Sequence, residues 1–242
     1  MKTFRIIILF TTIFSMAFIS SCKKDDDTNP NNNAPQYQVK TVTIPEAMAQ
    51  SSDPGAQMAV NYLNMANNLA VYSNMMSPPK SAFVSQLKDG GAEIFTWDVN
   101  DGEKNNYSVT LKITETSEYI HWEMIIDGLF EGMQLHNFTF IVAEQYKDGS
   151  DNTFTIYDPE NPGTVFMKFN WHESDGTTYL TIVVPGDIQV IIVVNADGSG
   201  SIEAKEWENG LYMLTYKAQW ETSGHGEYWE YDNGEEINHG SW

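Results

Sequence analysis

A single cysteine, a single arginine and a shortage of cations set the first limits on this 242-residue chain. Cys22 has no second cysteine to pair with, so an intrachain disulfide framework and cysteine-rich metal sites are both excluded. Arg5 is the only arginine, and 13 basic residues face 33 acidic ones, for a formal net charge of −20. Nucleic-acid binding draws most of its affinity from cations on phosphates, and arginine is the preferred reader of phosphate and of guanine edges. Nucleic acid is therefore a poor partner. There is no nucleophile elbow, phosphate-cradling loop or dinucleotide fingerprint, so no cofactor is expected. The five histidines, His121, His136, His172, His225 and His239, show no metal-ligand spacing. No metal is expected either.

What is present begins at the N-terminus. Lys2 and Arg5 precede an apolar run from Ile6 to Ile19, followed by Ser20, Ser21 and Cys22. A cationic start, a short apolar stretch and small residues before a cleavage point make a secretory signal, and about 14 apolar-rich residues are too few to span a bilayer as a finished helix. Ile19-Ser20-Ser21-Cys22 resembles a bacterial lipobox, departing from its commonest form at Ile19 and Ser21. Lys23-Lys24-Asp25-Asp26-Asp27 is similar to the surface-export signal of Bacteroidetes lipoproteins. The resemblance covers residues 1–27 only. It implies that Cys22 is acylated, which removes the last thiol from catalysis, and that the protein is lipid-anchored in the outer membrane and exposed at the cell surface. A multi-acyl cysteine suffices for stable attachment, since each buried methylene contributes ~0.8 kcal/mol. Loss of Lys2 and Arg5 with the signal takes the net charge from −20 to −22, so the mature body repels anionic headgroups.

Behind the signal peptide (residues 1–21), residues 22–44 read as the lipidated cysteine and a flexible tether rich in Asn, Asp, Pro and Thr. Residues 45–242 read as one β-rich domain, large enough to bury a core without staples. Asp53 and Pro54 open an amphipathic helix whose stripe runs through Ala59, Tyr62, Ala66, Leu69 and Met76, until Pro78-Pro79 stops it. From Ala92 onward the apolar period falls to 2, as in Tyr107, Val109, Leu111 and Ile113. Asp101-Gly102, Asp127-Gly128, Asp148-Gly149, Asp175-Gly176, Asp197-Gly198, Asn209-Gly210 and Asn233-Gly234 supply tight hairpin turns. The expected fold is mainly β: an antiparallel up-and-down meander of about 10–12 strands, a barrel or a large curled sheet, with one N-terminal helix packed on it. Tyr179 to Val184 and Ile188 to Val194 are apolar almost throughout, which predicts burial on both faces with the helix across the outside of that hairpin.

The C-terminal third concentrates aromatic residues. A two-residue turn at Asn209-Gly210 and a four-residue turn at Thr222–His225 place Trp207, Tyr212, Tyr216, Trp220 and Trp229 on one sheet face, with Glu203, Lys205 and Glu227 among them. Flat rings with a few polar groups suit a sugar-binding platform. The competing reading, which the residue types favour, is that the rings are core, with the charged side chains reaching water from strand ends. The acidic loops at Asp148 and Asp197 lack the full ligand set of a calcium loop and read as ordinary turns. His172-Glu173-Ser174-Asp175 gathers catalytic residue types, but turn chemistry already accounts for it. With 33 acidic residues, carboxylates near tryptophans carry no enzyme claim.

The expected function is a non-catalytic, membrane-anchored binding module for a glycan or another neutral polar ligand. The alternatives are a structural or accessory envelope lipoprotein with a protein partner, and a lipocalin-like carrier of an apolar ligand, for which fold analogy alone would speak.

Overall fold

The computed structural model describes residues 34–86, 91–102 and 104–242. The signal peptide, Cys22 and the tether as far as residue 33 lie outside the described residues. Among the described residues three short helices come first, α1 (Glu46–Gln50), α2 (Pro54–Asn68) and α3 (Ala70–Met75). Thirteen strands follow: β1 (Phe83–Gln86), β2 (Ala92–Asn100), β3 (Asn106–Glu115), β4 (Tyr119–Phe130), β5 (Met133–Tyr146), β6 (Asn152–Tyr157), β7 (Val165–Ser174), β8 (Thr177–Val184), β9 (Ile188–Val194), β10 (Gly200–Glu208), β11 (Leu211–Trp220), β12 (Gly226–Asp232) and β13 (Glu235–Ser241). They form one antiparallel sheet in strict sequence order, because connections this short allow only neighbours to pair. The sheet is open, so it is not a barrel. Its edges are blunted by the four-residue length of β1 and by Glu235 and Glu236 on β13.

Alternation puts one face of this sheet into the core. A single row of cross-strand partners runs from β3 to β11 as Ile113, Trp122, Ala143, Phe154, Phe169, Ile182, Val190, Ala204 and Tyr216. None is more than 4% exposed. The helices cover this inner face. Asp53 caps α2 by accepting from the Gly55 and Ala56 amides at 2.8 and 3.2 Å, and Ala56, Ala59, Leu63 and Ala66 are buried. The Tyr216 hydroxyl donates to the Gly55 carbonyl at 2.7 Å, and Tyr62 packs on the Tyr216 ring. At the far end Tyr72 of α3 packs on Phe154 of β6.

Four expectations are corrected. The helix does not run unbroken to Met76: it is interrupted at Leu69, after the poor helix formers Asn67 and Asn68. Asn67 is committed elsewhere, donating from Nδ2 to the Val42 carbonyl at 2.9 Å and accepting the Val42 amide at 2.8 Å. The helix is also not on an outer face of β8 and β9. The contacts of α2 are with β11, β12 and β13 and that of α3 is with β6, on the inner side, while Tyr179 on the other side of β8 is 36% exposed. The β-branched residues there satisfy strand preference rather than burial on both faces.

The domain also does not begin at residue 45. Ala34, Tyr37 and Val42 are buried, the Tyr37 ring meets Trp122 and Phe154, and Trp122 donates to the Pro35 carbonyl. One aromatic side chain and an extended backbone are enough to dock a segment whose composition reads as linker. Finally, Asp127-Gly128 is not a turn but a bulge within β4. Gly128 has φ +125°, and a Cβ there would lie 2.6 Å from the Asn106 carbonyl oxygen. The turn lies at Glu131-Gly132, both with positive φ.

Two predictions follow from the helix–sheet contact. A Cβ on Gly55 would lie 2.1 Å from the Tyr228 ring, which is itself backed by Gly240. Gly55→Ala is expected to cost about 1–3 kcal/mol by overpacking, measured by urea unfolding. The second concerns pH. Burial pushes the Tyr62, Tyr72 and Tyr107 hydroxyls up from 10.0 to about 12, and Tyr37 and Tyr216 in the same direction. A raised folded-state pKa gives stability that is complete below the ordinary tyrosine value and is lost as pH rises through the folded value. The protein should hold its β circular dichroism to about pH 10 and lose it between about pH 10 and 12 together with the appearance of tyrosinate absorbance.

Candidate functional site

Two local irregularities decide which C-terminal side chains share a face. The first is a bulge in β11: Ala204 pairs with Tyr216 but Lys205 pairs with Leu214, leaving Thr215 as the extra residue. Every side chain beyond it changes side. The second is the β11–β12 turn, where the Glu221 amide bonds to the His225 carbonyl at 2.9 Å around Thr222, Ser223 and Gly224. The expected four-residue loop is one residue too long. Trp220 therefore pairs with Gly226 and Ala218 with Tyr228, not with Glu227 and Trp229.

The single aromatic face is thus divided. Tyr216 and Trp220 belong to the inner face and are each 4% exposed. Trp207 and Tyr212, Glu203 and Lys205, and Trp229 and Glu227 remain outside. Trp220 fills the space over Gly200 and donates its indole N–H to the Gly198 carbonyl at 2.9 Å. That is a core role, in which glycine makes room for the ring of its cross-strand partner.

The outer rings do not make a flat platform. Trp229 stacks on His239 at 5.0 Å with 6° between planes, and the Lys217 ammonium lies 5.2 Å from its centroid. Those neighbours occupy the ring faces on which a sugar would stack. Trp207 meets Tyr212 edge-on at 4.9 Å near the β10–β11 turn, and the Tyr212 hydroxyl donates to the Val184 carbonyl. Lys205 is held by Glu203 at 3.2 Å.

A different concavity lies at the opposite end of these strands. It is an open groove of about 650 Å³ where β10 to β13 meet the loops at Asn195–Ser199 and Glu221–His225. One wall is a row of four cross-strand partners, Ser201, Gln219, Glu227 and Ser241. Trp242 adds indole surface: it donates to the Gly224 carbonyl at 2.7 Å and lies over Gly226, while Trp220 belongs to the lining only as a buried ring. Glu221, Glu227 and His225 give the groove an acidic and hydrogen-bonding character with no lysine in its lining. Of the expected site residues only Glu227 and Trp220 reach it. The serines and Gln219 carry no motif, and the register that aligns them depends on the short turn, so the sequence offers no signal for them.

The groups with shifted pKa move away from neutrality. The tyrosines move up through burial. Asp148 and Asp197 move down because Ser150 and Ser199 hydrogen-bond to them across their turns. Glu173 moves down through Lys40, paired with it at 2.6 Å. His172 stacks on Tyr179, so His172 and Glu173 each have a structural partner. Among the described residues no group of three or more His, Cys, Asp or Glu is placed to hold a metal ion.

The division of the rings gives a direct measurement. Trp220→Ala should cost about 3–5 kcal/mol in urea unfolding, as a buried ring does, while Trp207→Ala should stay within about 1 kcal/mol. No protein-family model, no curated protein and no solved structure matches the chain.

Proposed function

We propose that this chain is a lipoprotein anchored through Cys22 in the outer membrane, exposed at the cell surface, and acting as a non-catalytic module that binds a glycan or other neutral polar ligand. The observation that carries the reading is the groove at β10–β13. Hydroxyl and amide side chains from Ser201, Gln219 and Ser241 offer both donors and acceptors, and indole surface lies beside them. The carboxylates of Glu221 and Glu227, with no lysine opposite, disfavour sulfated, phosphorylated or sialylated ligands.

The carrier alternative would place an apolar ligand on the inner face of the sheet. That face is occupied by α2, α3 and Tyr37, packed on Tyr216, Phe154 and Trp122. The binding reading makes better use of the surface.

The test uses the full chain extracted in mild detergent. Palmitate should label the protein and Cys22→Ser should abolish both the label and membrane retention. On a glycan array the wild type should retain neutral oligosaccharides over anionic ones and release them chemically unchanged. Gln219→Ala and Trp242→Ala should each weaken that binding about tenfold, roughly 1.4 kcal/mol, without a large change in melting temperature. Preference for anionic glycans, or indifference to both substitutions, would exclude the groove as the site.

A further inference from the structure

The sheet splits at the end opposite the groove. The β10–β11 ladder runs to Glu208–Leu211 and the β12–β13 ladder to Asp232–Glu235, but the β11–β12 ladder stops at Tyr216–Glu230. Two bulges lie at this level, one leaving out Thr215 and the other leaving out Ile237, where Glu230 pairs with Asn238 but Tyr231 with Glu236. Bulges increase local twist and bend a strand away from its neighbour. Leu211–Thr215 and Tyr231–Asp232 therefore turn unpaired edges toward each other across a notch. Its floor is a cavity of about 140 Å³ lined by Trp207, Met213, Thr215, Tyr231 and others.

Unpaired strand edges are templates for another strand, and proteins ordinarily guard them with lysine, proline or cover. No lysine lines this notch. Glu206, Glu208 and Asp232 line it, and Glu235 and Glu236 follow on β13. Among the described residues none of these five carboxylates has a lysine or histidine within ion-pair distance. Exposed apolar surface gathers at the same place: Trp207 is 40%, Ile237 65% and Leu211 66% exposed, half of the six large hydrophobic side chains left open in the described chain. Unpaired backbone, apolar contacts and uncompensated negative charge together specify an occupant that is extended, partly apolar and basic.

We infer that the notch between β11 and β12 is a strand-addition site for an extended basic segment of a partner protein, one that alternates lysine or arginine with apolar residues. The apolar side chains take the outer face with Trp207, and the cations take the inner face with Glu206, Glu208 and Asp232, where Leu211 also lies. The site stands apart from the groove and does not depend on its ligand.

The probe is a short alternating lysine–valine peptide added to the full chain in neutral detergent, read by backbone amide hydrogen exchange. Exchange of the amides in residues 211–215 and 231–232 should slow at least about tenfold. A glutamate–valine counterpart should have no effect. A counterpart with proline at the central valine, which keeps the charge but removes a backbone donor, should bind at least about tenfold more weakly. Combining Glu206→Gln, Glu208→Gln and Asp232→Asn should weaken the lysine–valine peptide by a similar factor, whereas Gln219→Ala in the groove should leave it unchanged. Protection confined to the outer edges β1 or β13, absence of protection, or equal binding of the proline peptide would overturn the inference. The last outcome would assign the attraction to net charge alone.

Discussion

Everything in this domain depends on covering one face of a thirteen-stranded sheet. The row of buried side chains from Ile113 to Tyr216 is continuous over nine strands, and an apolar surface of that extent is not stable in water. Closing the sheet would be one solution. Here the cover is supplied by α2, α3 and the extended segment around Tyr37. Small residues let this layer come close: Gly55 lies against the Tyr228 ring and beneath the Tyr216 hydroxyl, with Ala56, Ala59 and Ala66 buried behind it. Because the layer is thin and rich in asparagine, its order comes from packing and not from helix propensity.

A cover of this kind frees the opposite face and the ends of the strands. Outward side chains need only suit water, so they can vary without loss of core. The consequence shows at β10–β13, where polar partners line up as Ser201, Gln219, Glu227 and Ser241 on one side of the sheet while Ala218 and Tyr228 pack on the other. Core and outward-facing side chains are thereby assigned to different faces of the same strands, and a bulge is the device that exchanges them. Thr215 moves Tyr216 into the core and sends Lys217 out beside Trp229. One extra residue thus determines whether an aromatic ring faces outward or fills the core.

This is also why the sequence disclosed the architecture better than the site. Alternation and six Asx-Gly turns announce an antiparallel meander, because both signals are local: a two-residue period and a positive φ. Asp127-Gly128 carries the same dipeptide, yet it serves a bulge, since the chain reverses only at Glu131-Gly132. Register is less forgiving. Each slip of one residue inverts a whole strand, and neither the bulge at Thr215 nor the three-residue turn before His225 leaves a mark in composition. The docking of Tyr37 was hidden for a related reason. Its partners Trp122 and Phe154 lie far along the chain, and nothing in an Asn- and Pro-rich stretch distinguishes a residue that will find them.

The two candidate sites sit at opposite ends of the same four strands, and this follows from how the ladders are built. At the groove end the strands stay paired to their last residues, Gly200–Trp220–Gly226, so what is offered there is side chains around a shallow depression. At the notch the ladder has already parted, and the backbone itself is left free. Acidic side chains act differently in the two settings. In the groove, on the proposed reading, they disfavour anions among otherwise neutral contacts. At the notch they stand where an edge strand would ordinarily carry lysine, which discourages pairing with a second copy of this acidic chain but not with a basic strand. A strongly negative body with an open edge therefore disfavours pairing with its own copies and leaves that edge to a strand of opposite charge.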